Sequence, residues 1–331
     1  MTTLRIAVIA GGNSAEAVVS RSSAAEVSKA LQQRCADVRL LELDPTLTRE
    51  LDAYAPDVVF PVLHGPPGED GTVQGYLEIL GFPYVGSGVL ASACAMDKSV
   101  AKALFRRAGL PVADDLVFAP EAHATEAVSQ TLATLGNRVV IKPRRQGSGL
   151  GVTPIPNGGD LLRPFEAALA FGDGVLVEPY VMGHEITVGV LDLEGERPIA
   201  FPPIEIRTPN GTWYDYEHRY TVGKSEHIVP APLPHDVSAA VCDAALGAHA
   251  TLGCRELSRA DFIVTDDYRV VLLEVNTLPG MTPTSLYPDG ARALGITFED
   301  LVTRLVESAY RRARRSDRHD RDSSNRSYKL S

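Results

Sequence analysis

Three short apolar runs, at residues 6–10, 38–43 and 58–63, are separated by helical spacing over residues 15–33 and by polar turns. This order constrains the fold more than any other feature. Strands interleaved with helices pair in parallel, because a parallel connection needs a crossover long enough to hold a helix. A further helix is expected over 72–80 and a short strand at 84–85. The first run stops at Gly11-Gly12 and the third at His64-Gly65. Both turns lie at carboxyl ends of strands, where open parallel sheets collect ligands.

The pattern changes near Met96. Residues 97–108 have helical spacing ended by Gly109 and Pro111, and residues 139–142 form a strand running into a Gly-rich stretch that closes at Gly151. Strands are expected at 175–178, 185–191, 260–265 and 270–275, with a helix over 236–252. A chain of 331 residues can bury two or three cores. Its 44% hydrophobic and 22% charged residues are ordinary for a soluble globular protein. The formal net charge of -10 argues against nucleic acid or an anionic membrane as partner. No run reaches the roughly 20 apolar residues that span a bilayer. The apolar start lacks a basic cluster ahead of it and is read as a first strand, not a signal peptide. Four scattered cysteines without paired metal spacing suit a reducing compartment, so the expected location is the cytoplasm. Residues 311–331 carry eight Lys and Arg against three Asp with almost no apolar residues. They are expected to form a disordered tail.

The most specific chemistry lies near the C-terminus, in Arg259-Ala260-Asp261, Leu272-Leu273-Glu274-Val275-Asn276 and Pro279-Gly280-Met281. Period-two alternation puts Glu274 and Asn276 on one face of their strand. If the two strands pair as a hairpin, Asp261 joins them, giving three hard oxygen donors of the kind Mg²⁺ takes. A polar hairpin whose Asp and Asn serve only turns is the plain alternative, but turn residues do not normally follow an apolar strand on one face. Lys142 beside the Gly-rich stretch suits a lid over phosphates, with backbone N–H groups and an ammonium facing negative charge. A simple hairpin turn is equally compatible with that stretch alone. The turn Gly11-Gly12-Asn13-Ser14 lacks G-x-G-x-x-G and is not read as a dinucleotide site.

Taken together, Gly11-Gly12-Asn13-Ser14-Ala15-Glu16, Leu63-His64-Gly65, Gly68-Glu69-Asp70-Gly71-Thr72, Gly86-Ser87-Gly88, Met96-Asp97-Lys98, Lys142-Pro143, Tyr214-Asp215-Tyr216 and the series from Arg259 to Leu286 resemble the D-alanine–D-alanine ligase family. The resemblance runs in one order over roughly residues 4–310 and leaves the tail out. It implies an α/β, three-domain ATP-grasp fold: a parallel-sheet N-terminal domain (1–95) followed by two nucleotide-clamping α+β domains (96–180 and 181–310). It also implies ATP-dependent joining of two D-alanines through an acyl-phosphate, for peptidoglycan precursor synthesis. ATP is then a co-substrate, Mg²⁺ is bound as two ions, and a homodimer is usual.

Residue by residue, the resemblance gives Lys98 and Lys142 to the ATP phosphates, Glu178, Tyr180 and Val181 to the adenine, and Glu185 to the ribose. Asp261, Glu274 and Asn276 would hold Mg²⁺. Glu16 would hold the first ammonium with His64 close to the reacting centre, and Glu16, Ser148 and Tyr220 would form a hydrogen-bonded triad. Arg259 and the Gly280 N–H would stabilise the oxyanion. Ser285 would bind the second carboxylate and Leu286 would line its side-chain pocket, with Tyr214 and Arg219 on the long loop also facing substrate. The family pattern Glu-Arg-Glu-Val-Ser reads Glu16-Ala17-Val18-Val19-Ser20 here, Gly149 replaces a second lid serine, and Arg219 stands where lysine is common. These departures keep two alternatives open: a dipeptide ligase of a specialised pathway acting on other amino acids, and a non-catalytic nucleotide sensor.

Overall fold

Ile6, Ala7, Val8 and Ile9 are all fully buried, as befits a strand covered on both faces. They lie in β1 (Thr2–Ala10), the centre of a parallel sheet in the order β2-β1-β3, with β2 at Cys35–Glu42 and β3 at Val58–Pro61. The computed structural model describes residues 2–14, 16–209 and 223–327. The sheet's two faces divide by period two. Ala7, Ile9 and Val59 pack with α2 (Leu47–Tyr54) and α3 (Thr72–Leu80). Ile6, Val8, Val58 and Phe60 face α1 (Ala17–Gln32) and a cluster of C-terminal residues that includes Leu257, Met281 and Leu305. The N-terminal sheet therefore shares one core with the end of the chain. The strand expected at 84–85 is a single bridge from Tyr84 to Val59. Pro83 cannot donate to a ladder, and Gly86 turns the chain away with φ +100°.

The second sheet, in the order β4-β7-β5-β6, is antiparallel: β4 (Leu116–Phe118), β5 (Val139–Pro143), β6 (Thr153–Ile155) and β7 (Val175–Pro179). Its core lies under α6 (Ala124–Thr134) and α7 (Leu162–Leu169). A third, six-stranded sheet runs β11-β10-β8-β12-β13 with β9 on β8. It comprises β8 (His184–Asp192), β9 (Ile199–Ala200), β10 (Ile204–Arg207), β11 (Glu226–Ile228), β12 (Glu256–Val264) and β13 (Val270–Asn276). Helix α8 (His235–Leu252) covers it, together with α4 (Val89–Met96) and α5 (Lys98–Arg107). The segment expected to open the central domain at residue 96 thus gives α5 to the third core. Asp97 caps α5 by accepting from the Ser99 and Val100 amides and also binds Arg144 and Arg145 at the root of the Gly-rich stretch. Burial would raise its carboxyl, but those guanidiniums and the Ser99 hydroxyl hold it well below the usual range.

Two helices close the chain, α9 (Leu286–Ala293) and α10 (Phe298–Ser327). The second continues as helix to Ser327, through most of the segment expected to be a disordered tail from residue 311. Its first half is anchored through Leu301, Val302, Leu305, Val306 and Ala309, and a nucleated helix extends readily through arginine. Arg312 and Arg315 bond Glu256 and Glu194. Composition recorded the lack of apolar residues but not these acidic partners, which lie far away in sequence.

Candidate active site

A cavity of about 850 Å³ opens between the first sheet, the Gly-rich stretch and the third sheet. The third sheet builds its floor by register. Asp261 on β12 sits opposite Thr187 on β8 and opposite Glu274 on β13, while Arg259 sits opposite Asn276. Residues directly opposite share a face, so these five project together. The expected hairpin is therefore present, with a bulge just beyond Asp261 that leaves Leu273 as the extra residue. Arg259 donates to both Asp261 oxygens at 2.8 and 2.7 Å, and the Thr187 hydroxyl donates to Oδ1 at 2.6 Å. Asn276 Oδ1 accepts from the Leu278 amide at 2.8 Å.

Lys98 heads α5, where its Nζ donates to the Gln146 carbonyl at 2.6 Å and lies 3.2 Å from Glu274. Lys142, at the end of β5, pairs with Glu178 on the adjacent β7. The fully buried Lys102 of α5 holds the other oxygen of the same carboxylate and stands 3.5 Å from Asp115. Burial would raise Glu178, but the two ammoniums outweigh it and keep the carboxyl below its ordinary value. Burial likewise opposes the charge on Lys142, yet Glu178 and Glu274 raise it. Lys142, Glu178, Tyr180, Val181, Glu185 and the predicted metal-site residue Asp261 do not line the cavity. Tyr180 and Val181 follow β7, and Glu185 lies on β8 with period two to Thr187.

The opposite wall comes from the first sheet. Glu16 occupies the N-cap position of α1 without capping it. Its carboxylate instead accepts the hydroxyl of Ser148, which lies 132 residues away on the Gly-rich stretch. Ser148 has φ +52°, a conformation unusual for serine that surrounding contacts must maintain. His64 follows β3, and its buried Nε2 has no hydrogen-bond partner among the described residues. Burial drives this imidazole below its ordinary value; Glu16 opposes that effect and Arg259 adds to it. Glu69 accepts the Gly65 amide at 2.7 Å. Burial and the nearby Glu16 push its carboxyl up to about 8. Ser285 precedes α9 but makes no side-chain cap; its hydroxyl bonds Thr282 instead. A side chain at Gly280 would sit 3.0 Å from that hydroxyl, a tight contact that glycine avoids.

Residues 45–87 and 104–307 match the family profiles described as D-ala D-ala ligase N-terminus and C-terminus. The chain belongs to the D-alanine–D-alanine ligase family. A relative named D-alanine–D-alanine ligase, from Moorella thermoacetica, is 43% identical over 309 residues, covering 92% of this chain and 99% of its own length. The crystal structure of D-alanine–D-alanine ligase from Bacillus anthracis complexed with ATP aligns with a TM-score of 0.80 at 31% identity, over 95% of this chain and 100% of that one. The VanG D-Ala:D-Ser ligase from Enterococcus faecalis aligns at 0.79 and 30%, over 93% of this chain and 100% of that one. The three-sheet architecture is thus the ATP-grasp fold of the family.

The cavity brings together Glu16, His64, Lys98, Ser148, Arg259, Glu274, Asn276, Gly280, Ser285 and Leu286. Tyr214, Arg219 and Tyr220 lie outside the described residues. Sequence reasoning missed Glu69 and Lys102 as site residues. Glu69 stood within the Gly68-to-Thr72 motif, so its place in the motif was a usable signal. Lys102 offered none, because a lysine on an amphipathic helix is usually solvated.

Proposed function

We propose that this chain is an ATP-dependent ligase that joins two D-alanines into D-alanyl-D-alanine through an acyl-phosphate, serving peptidoglycan precursor synthesis. One observation carries the reading: Glu16, Ser148 and His64 face Arg259 and Gly280 across one cavity whose end holds Lys98, Glu274 and Asn276. The amino-acid and phosphate chemistries therefore share a single enclosure.

In this reading Glu16 holds the ammonium of the first D-alanine, and its carboxylate attacks the γ-phosphorus of ATP. Lys98 and Lys142 bear the spreading charge of the phosphates. Lys142 exchanges Glu178 for phosphate, while Lys102 keeps Glu178 neutralised. Arg259 and the Gly280 N–H face the oxyanion that forms when the second amine attacks, and Ser285 with Leu286 receives the second D-alanine. Ser148, bonded to Glu16, holds the Gly-rich stretch down and keeps water from the acyl-phosphate. Phosphate leaves as the peptide bond forms.

Asp261, Glu274 and Asn276 suit Mg²⁺. Two carboxylates and an amide oxygen share one face, although no group of three or more His, Cys, Asp or Glu among the described residues could hold a metal alone. A set this small needs phosphate oxygens to complete an octahedron, which is how Mg²⁺ is commonly held. Bound there, Mg²⁺ would neutralise phosphate charge. Among the described residues no helix is long and apolar enough to cross a membrane, and we assign the enzyme to the cytoplasm as a homodimer.

A second reading, a ligase using a different amino acid, is favoured by Val18, which lines the cavity where the family pattern carries charge. The VanG neighbour, at 30% identity, is one family member whose name specifies another second substrate. Incubation with Mg-ATP and a panel of D- and L-amino acids tests both. The expected products are ADP and D-alanyl-D-alanine. ADP with a different dipeptide moves the assignment to the second reading, and no dipeptide with any amino acid overturns the ligase.

A further inference from the structure

The strand that carries Arg259 and Asp261 begins at a residue in an uncommon conformation. Glu256 is 2% exposed and has φ +56°, a backbone state that persists in a non-glycine residue only where the surroundings fix it. Its Oε2 accepts the Gly86 amide at 3.0 Å, and its Oε1 accepts Arg312 Nε at 3.0 Å. Arg312 Nη2 continues to the Tyr84 carbonyl at 2.7 Å. Arg255, one residue earlier, donates to the Gly86 carbonyl at 3.2 Å and the Tyr84 hydroxyl at 3.1 Å. The turn at 84–86 is thus held from two sides, by the start of β12 and by α10.

Each end of this cluster leads to one wall of the cavity. Residues 83–85 bond β3 through Val59 N to Pro83 O at 2.8 Å and Val85 N to Val59 O at 2.9 Å, and β3 leads directly to His64. Three residues beyond Glu256 stands Arg259. A side chain at Gly86 would touch Leu278 at 3.4 Å and Leu257 at 3.6 Å, so the turn also rests on the segment leading to Gly280. Neither Glu256 nor Arg312 lines the cavity. The sequence reading placed Arg312 in a solvated tail and gave Gly86-Ser87-Gly88 no role.

We infer that Arg312 and Glu256 are positioning residues for ligation, fixing the Glu16 and His64 wall against the Arg259 and Gly280 wall. The inference rests on the ligase reading above. The first carboxylate and the oxyanion donors belong to opposite walls, so a small shift between them separates reacting atoms without emptying the nucleotide side. A displacement of about 1 Å can cost on the order of a hundredfold in rate. Glu256 is buried and Arg312 is 23% exposed, so losing the arginine leaves a buried charge without its match.

The test uses full-length Arg312→Ala and Glu256→Gln, with Arg311→Ala as the adjacent control; among the described residues Arg311 reaches the exposed Glu196 at 3.7 Å. Turnover, the KM values for ATP and D-alanine, and the thermal midpoint are measured, with and without millimolar guanidinium. Arg312→Ala should lower kcat by about tenfold or more while KM for ATP stays within about twofold. Added guanidinium should restore part of the lost kcat, and Arg311→Ala should behave as wild type. A kcat within about twofold of wild type overturns the inference. So does a loss that guanidinium leaves untouched and that follows a lowered midpoint. If Arg312→Ala fails to fold, Glu256→Gln decides: it keeps shape and removes charge, and an unchanged kcat overturns the inference. A wild type that makes no dipeptide overturns the ligase reading and this inference with it, whereas an active wild type with unaffected variants overturns the inference alone.

Discussion

The two ends of the cavity handle buried charge in opposite ways. At the end proposed for the nucleotide Lys98 faces Glu274, and just outside the cavity lining Lys142 and Lys102 share Glu178. At the other end two carboxylates, Glu16 and Glu69, sit close together, and burial with Glu16 pushes Glu69 up to about 8, beside a buried imidazole held below its ordinary value. In the proposed reading the first end, whose charge is balanced internally, accepts phosphate by exchanging partners, and the substrate ammonium balances the carboxylates of the second. That reading gives an anionic nucleotide and a zwitterion separate places in one site.

The largest expected effect breaks the nucleotide end. Glu274→Gln removes an anionic oxygen from the proposed metal set and the partner of Lys98. Turnover should drop by about a hundredfold or more, near 2.7 kcal/mol of barrier, with the fold retained. Steady-state rates and far-ultraviolet circular dichroism check it, and activity within about threefold would remove Glu274 from the metal set. Next comes Lys142→Ala, which should reduce kcat/KM for ATP by roughly tenfold to a hundredfold and barely alter saturation by D-alanine. A shift confined to D-alanine would mean that Lys142 serves the wrong end.

The smaller effect sharpens the other end. Glu69 is raised from the ordinary carboxyl range to about 8. A group raised on folding contributes stability that is complete below its unfolded value and is lost as pH rises through the folded one. Wild type should therefore lose stability between about pH 5 and pH 8 relative to Glu69→Gln, by on the order of 3 kcal/mol. Urea unfolding of both proteins at pH 5 and 8.5 measures this. Parallel pH curves would show that Glu69 ionises normally and that the crowding of carboxylates is illusory.

The same contrast shows what a sequence can reveal. Asp261, Glu274 and Asn276 were legible because strand alternation is a local rule that fixes which face a residue takes. The parallel first sheet was legible from the order of apolar runs and helical spacing, because a parallel connection needs a crossover long enough to hold a helix. Lys102 was not, since its burial depends on Glu178 and Asp115, far along the chain. The short strands β4, β6, β9, β10 and β11 escaped because two to four residues carry too little periodicity. Arg312 looked solvated for want of apolar neighbours, although its partner Glu256 lies 56 residues away. Ser148 could be located in a loop by its glycines, but its bond to Glu16 spans 132 residues and came only through the family resemblance.

The central claim is that a D-alanine carboxylate is phosphorylated before the peptide bond forms. Supplying D-alanine labelled with ¹⁸O in its carboxylate, with unlabelled Mg-ATP, tests it directly through the mass of the released phosphate. An acyl-phosphate route transfers one carboxylate oxygen to phosphate for each dipeptide made. Phosphate released without label, in step with dipeptide, would contradict the account.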